Sequence, residues 1–191
     1  MSMMLLLLVS LSCLAAINAQ PTPCCIANQW SATMFDVSQP SQGNSITAEF
    51  YYDFNNEATA TQYYKYGSPQ RVKSNRVVIS SSKRERYNIA ADGTCTKVAH
   101  PNQLLPNCII GERTYLGSSY VGTEASGLKT DTWFFSIDTL NYTVSYTNPD
   151  CILTFQGVVD TTQSLDTVVY FNGYKAGITD PAAFAVPLSC L

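Results

Sequence analysis

The chain has 191 residues, 46% of them hydrophobic and 13% charged, with a formal net charge of −3. That composition supports a packed core and excludes a disordered chain, and the charge is too small to suggest a nucleic-acid partner. The basic cluster Lys83-Arg84 with Arg86 is interrupted by Glu85 and reads as a solvated turn between strands.

Residues 3–8 and 11–17 are almost wholly apolar, and Asn18-Ala19-Gln20 ends the run. This pattern predicts a secretory signal peptide over 1–19, cut after Ala19. The run is shorter than the ~20 apolar residues a spanning helix needs and has no basic flank, so cleavage is expected rather than a membrane anchor. Residues 20–191 then form one domain. Cys24, Cys25, Cys95, Cys108, Cys151 and Cys190 fall within it. An even number of cysteines in an oxidising compartment predicts three bridges. With a strained vicinal Cys24–Cys25 ring set aside, the residues leave the connectivity open.

Ile46, Ala48, Phe50 and Tyr52 alternate with Thr47, Glu49 and Tyr51, the period of a half-buried strand. Residues 53–56 supply a turn, 57–66 run back, and Gly67-Ser68-Pro69 closes the hairpin. A second hairpin is predicted from 76–80 and 84–90, followed by an Asp92-Gly93 turn and a short strand at 94–99. Residues 100–107 carry two prolines and break the pattern, and 109–120 is ambiguous. Strands follow at 129–137, 142–147, 151–159 and 167–174, with Asn148-Pro149-Asp150 as a turn. Asp180-Pro181 suits the start of a short helical turn ending before Pro187. Many short strands separated by turn residues predict an all-β, mainly antiparallel sandwich or curved half-barrel.

Catalytic constellations are missing from the pattern. A serine triad would depend on His100, the single histidine, and no G-x-S-x-G elbow is present. Phosphate-binding and dinucleotide fingerprints are absent, and bridged cysteines supply no nucleophile. Asp131, Asp138, Asp160 and Asp166 read as turn and strand-edge acids. The expectation is a protein that is not an enzyme and requires no cofactor. Without C-x-x-C or a second histidine, a zinc site is not expected. Asp53 with Asn55, Asn56 and Glu57 is the densest oxygen cluster, and it reads as a hairpin turn rather than a calcium site. Asn141-Tyr142-Thr143 is a glycosylation sequon.

Aromatic residues make up 12% of the chain, many at alternating strand positions. On the concave face of a curved sheet they would line a ligand pocket. The candidate pocket residues are Phe50, Tyr52, Ile79, Trp133, Phe135, Phe155 and Tyr170. Phe50 and Tyr52 share one strand face, as do Trp133 and Phe135.

Cys24-Cys25 is followed by Gln29-Trp30, Tyr52-Asp53 by Asn55, and 86–95 ends in Asp92-Gly93 and Cys95. Trp133, Asp150-Cys151 and the stretch 177–184 through Pro187 to Cys190 extend this order. In these motifs the chain resembles the ependymin-related proteins, a family of secreted animal glycoproteins. The resemblance implies bridges Cys24–Cys151 and Cys95–Cys190, with Cys25–Cys108 as the third; Cys24 and Cys25 could exchange partners. It also implies two facing antiparallel sheets curved around a deep apolar pocket, like the bacterial lipoprotein carriers of the LolA type. Binding of a lipid or other hydrophobic molecule is implied, as are calcium association, extracellular-matrix or cell-adhesion partners, and a homodimer. A calcium-associated matrix protein without a carrier role is the alternative function.

Overall fold

The computed structural model describes residues 20–38, 44–65, 67, 71–162 and 165–190. The expected signal peptide lies outside them, as do Ser68 and Pro69 of the first hairpin's expected end. Among the described residues are eleven strands: β1 (Gln29–Asp36), β2 (Asn44–Asp53), β3 (Ala58–Lys65), β4 (Lys73–Ser80), β5 (Glu85–Ile89), β6 (Cys95–Ala99), β7 (Arg113–Val121), β8 (Leu128–Ile137), β9 (Leu140–Thr147), β10 (Leu153–Asp160) and β11 (Leu165–Ala176). They form one antiparallel sheet in the order β6-β5-β4-β3-β2-β1-β11-β10-β9-β8-β7. From β1 at the centre the strands meander out to the β6 edge, the chain crosses to β7 at the opposite edge, and the strands meander back to β11 beside β1.

The two sheets expected from the resemblance are therefore two halves of one continuous sheet, joined through the β1–β11 pair. A sheet of this many strands rarely stays open and flat, because twist accumulates from strand to strand. It folds back on itself: Trp30, Ala32, Met34 and Tyr52 from β1 and β2 share one core cluster with Trp133, Phe135, Tyr142 and Val144 from β8 and β9. Pairing aligns these positions across the ladder, with Trp30 opposite Tyr52 and Phe135 opposite Tyr142. The outcome is the curved half-barrel that strand patterning predicts.

Two elements depart from the sequence reading. β1 was not anticipated, although Trp30, Ala32 and Met34 alternate with Ser31 and Thr33. The ambiguous 109–120 segment carries all but the last residue of β7, whose register shifts between Tyr115 and Gly117. Gly117 has φ +130°, a conformation that suits glycine and interrupts the two-residue period.

The opposite face of the β2–β5 half is covered by the C-terminal segment. Ala183 and Cys190 are buried against Tyr51, Ala60, Val78, Tyr87 and Ile89. This strap contains two 3₁₀ turns, Pro181–Phe184 and Leu188–Cys190. The first is the expected helical turn, and the Asp180 carboxylate caps it by accepting from the Ala182 amide at 3.0 Å. Arg76 donates from Nη1 to the Ala182 carbonyl at 3.0 Å and from Nη2 to the Ala185 carbonyl at 2.7 Å. Disulfides join Cys95 to Cys190, Cys24 to Cys151 and Cys25 to Cys108.

Candidate functional site: an apolar cavity on the outer face of the β7–β11 half

Side chains alternate across a strand, so the face that turns away from the core is fixed by register. Phe35 pairs with Tyr170, Tyr170 with Phe155, Phe155 with Ser145, and Ser145 with Thr132. This row runs across five strands: Phe35, Ser145 and Thr132 are each one residue from the core positions Met34, Val144 and Trp133, Tyr170 lies between the core residues Val169 and Phe171, and a register shift after Leu153 brings Phe155 into the row. The curved face carrying it encloses a cavity of about 860 Å³. Phe35, Val37, Val121, Leu128, Ile152, Phe155 and Tyr170 supply its apolar wall. The β1–β11 register shifts opposite the stretch containing Gly173 (φ +62°), and there Phe171 and Tyr174 join the lining.

The polar wall groups are largely engaged with one another. Thr130 and Ser119 hydroxyls lie 2.9 Å apart, and Ser145 and Thr132 hydroxyls 2.8 Å apart. The Thr147 hydroxyl accepts from the Ile152 amide at 3.0 Å, and Thr154 donates to the Ser145 carbonyl at 3.0 Å. No Asp, Glu, Lys, Arg or His is among the lining residues. The wall therefore presents mainly methyl groups and aromatic rings, with the Asn172 amide beside them, and offers no charge among the described residues. Val121 is 61% exposed and Tyr170 46% exposed, so these apolar groups face the opening rather than a packed interior.

The seven residues expected to share one pocket are divided by the fold. Phe155 and Tyr170 line the cavity, their ring centroids 5.2 Å apart. Tyr52, Trp133 and Phe135 belong to the packed core, each at most 3% exposed. Their positions have the opposite parity from the cavity row, so they meet the other half of the sheet. Phe50 packs against the core between Trp30 and Phe171, at 5.3 and 5.2 Å between centroids. Ile79 lines, with Phe50 and Tyr52, a separate crevice of about 190 Å³. The cavity residues that sequence reading missed include Phe35, which sits on the unanticipated β1, and the serines and threonines of β7–β10. Those hydroxyl residues look like solvent-facing positions in a binary pattern.

The other sequence candidates have local explanations. The Asp53 carboxylate accepts from Gln29 Nε2 at 3.0 Å, from the Asn56 amide at 3.1 Å and from Asn56 Nδ2 at 2.7 Å. Burial pushes its pKa up, but these hydrogen bonds outweigh it and hold the group below the usual aspartate value. Asp131, buried on β8, accepts from Ser118, from Asn148 Nδ2 at 2.6 Å and from Tyr115 at 3.3 Å. Its pKa too is lowered, with burial opposing and the hydrogen bonds and Lys129 prevailing. The His100 imidazole is shifted toward its neutral form, first by burial and then by Arg86. Among the described residues no group of three or more His, Cys, Asp or Glu side chains is placed to hold a metal ion. Asn141 of the sequon stands at the start of β9, its Oδ1 accepting from Ser136 at 2.7 Å.

Residues 70–190 match the family model described as Ependymin. The chain belongs to the ependymin family. The match spans β4 through β11 and the C-terminal strap, and includes four of the six bridged cysteines. No functionally curated protein matches the chain. Among solved structures, the ependymin-family chain is similar to an uncharacterized conserved protein from Thermus thermophilus, at 12% identity and a TM-score of 0.52. The alignment covers 86% of this chain and 88% of that one, and at this identity it shows a shared fold alone. Family membership and three disulfides are consistent with an extracellular protein. Among the described residues no helix is long and apolar enough to cross a membrane.

Proposed function

We propose that this ependymin-family protein is a secreted glycoprotein that holds a lipid or other hydrophobic molecule in the 860 Å³ cavity. The observation that carries the reading is the wall itself: an uncharged, mainly aromatic and aliphatic surface whose serine and threonine hydroxyls are hydrogen-bonded to neighbouring groups. Its volume lies in the range of small-molecule sites, ~300–1,000 Å³. Affinity comes from apolar area removed from water, at about 25 cal/mol per Å² before the costs of association. A charged headgroup finds no counter-ion inside and stays in solvent. No covalent chemistry is assigned to the site. A glycan on Asn141, a homodimer and extracellular-matrix partners belong to the same proposal.

N-phenyl-1-naphthylamine, an uncharged fluorophore that brightens in apolar surroundings, tests the reading. The secreted protein is expected to enhance its emission saturably, and Phe155→Glu and Leu128→Glu to abolish the enhancement while leaving the circular dichroism spectrum unchanged. Undiminished binding by both folded variants would place the ligand elsewhere.

A further inference from the structure

On the inner side of the folded sheet lies the crevice of about 190 Å³, which shares no lining residue with the lipid cavity. Phe50 and Ile79 line it from one half of the sheet, Tyr142 and Leu153 from the other, and the 100–105 segment supplies a further wall. That segment is fixed in place. Tyr52 donates to the Leu105 carbonyl at 2.7 Å, Ile26 donates to the Asn107 carbonyl at 2.7 Å, and Cys25 is bridged to Cys108. The space is thus held open by its frame.

Two polar side-chain atoms of the crevice residues are buried without a hydrogen-bond partner, Trp30 Nε1 and Ser81 Oγ. Trp30 is 1% exposed, and its indole N–H can only donate. Buried donors in native proteins almost always find an acceptor, and Trp30 Nε1 has none in the structure. No Asp, Glu, Lys or Arg is among the described residues that line the crevice, and its imidazole, His100, is shifted toward the neutral form by burial and then by Arg86. The volume is roughly six waters' share of liquid, enough for one ring-sized molecule. We propose that this crevice is a second binding site, taking a small, uncharged, largely apolar molecule whose carbonyl-type oxygen accepts from Trp30 Nε1. Phe50, Ile79, Tyr142 and Leu153 take up the body of the molecule, Trp30 Nε1 orients its oxygen, and Thr59, Thr61, Gln103 and Gln156 give the rest of the wall its polar share.

The test uses the full secreted chain carrying ¹⁵N-labelled tryptophan, whose two indole N–H signals report Trp30 and Trp133 separately. Acetophenone is the probe, and cumene, of the same size but without an oxygen, is its control. Acetophenone is expected to move the Trp30 signal saturably and leave that of Trp133 in place, with cumene binding about tenfold more weakly or worse. Ser81→Leu, which puts an isobutyl side chain in place of a hydroxymethyl at the turn after β4, is expected to abolish acetophenone binding while N-phenyl-1-naphthylamine still binds the outer cavity. Should that variant fail to fold, the probe pair still decides. Equal binding of the two probes would overturn the proposal. So would a Trp30 signal unmoved at the solubility limit, or a long-lived water at the Trp30 indole that acetophenone does not displace.

Discussion

Replacing both Cys95 and Cys190 by alanine releases the strap that covers the second core cluster, and its cost can be worked from the chain path. The two cysteines are 95 residues apart in sequence. In the unfolded chain, however, the other two bridges offer a shorter route. It runs from Cys95 to Cys108, across to Cys25 and Cys24, and from Cys151 to Cys190, about half the direct length. Loop-closure entropy depends on the logarithm of length, so the shortcut removes only about 0.5 kcal/mol and leaves roughly 4 kcal/mol for this bridge. In the folded state the freed strap keeps the Arg76 bonds to the Ala182 and Ala185 carbonyls, and Ala183 stays seated until it peels away. For a chain of this size the loss corresponds to a melting temperature lower by about 8–16 °C. Differential scanning calorimetry under non-oxidising handling, with urea unfolding as a second readout, measures it. A double variant that melts within about 2 °C of the parent would refute the reasoning, because the strap would then contribute no constraint to the unfolded chain.

Asp131→Asn is expected to cost about 1–3 kcal/mol at pH 7, since it breaks the accepting network of Ser118, Asn148 and Tyr115. The folded-state pKa of Asp131 is depressed, so its stabilisation is present above the unfolded value near 4 and is lost as pH falls through the folded value. Urea midpoints of parent and variant should therefore converge as pH falls below about 4. Tyr52→Phe leaves the Leu105 carbonyl without its donor and should cost about 1–3 kcal/mol in the same assay. Trp133→Ala, in the core, should lose about 3–5 kcal/mol, whereas Phe155→Ala, at a partly buried position, should lose under about 2 kcal/mol and instead weaken N-phenyl-1-naphthylamine binding. Similar destabilisation by both would contradict the division between core and cavity.

Which strands exist was largely legible, because Ile46 to Tyr52 and the hairpins around residues 81–84 and 138–139 carry a clean alternation bounded by turn residues. Face assignment was not. Alternation within one strand puts Trp133 and Phe135 together, but only pairing across the ladder tells whether they meet Phe155 or turn from it. That pairing depends on β1, which closes the two halves of the sheet, and on the bulge beside Gly117. Both faces of β8–β11 also carry apolar groups, so hydrophobicity alone does not choose the interior. The threonines and serines of the cavity wall deepen the ambiguity, since their hydroxyls are satisfied by neighbours and leave methyl groups and Cβ atoms toward the ligand space. The turn at Asp53, by contrast, could be read locally, because an Asx turn is made by residues adjacent in sequence.

Native mass spectrometry of the protein secreted from eukaryotic cells, followed by organic extraction and lipid analysis, tests the central claim most directly. A hydrophobic molecule co-purifying at near one per chain, and lost from Phe155→Glu, is the predicted result. A folded protein that emerges empty, and stays empty after incubation with mixed lipid vesicles, would contradict it.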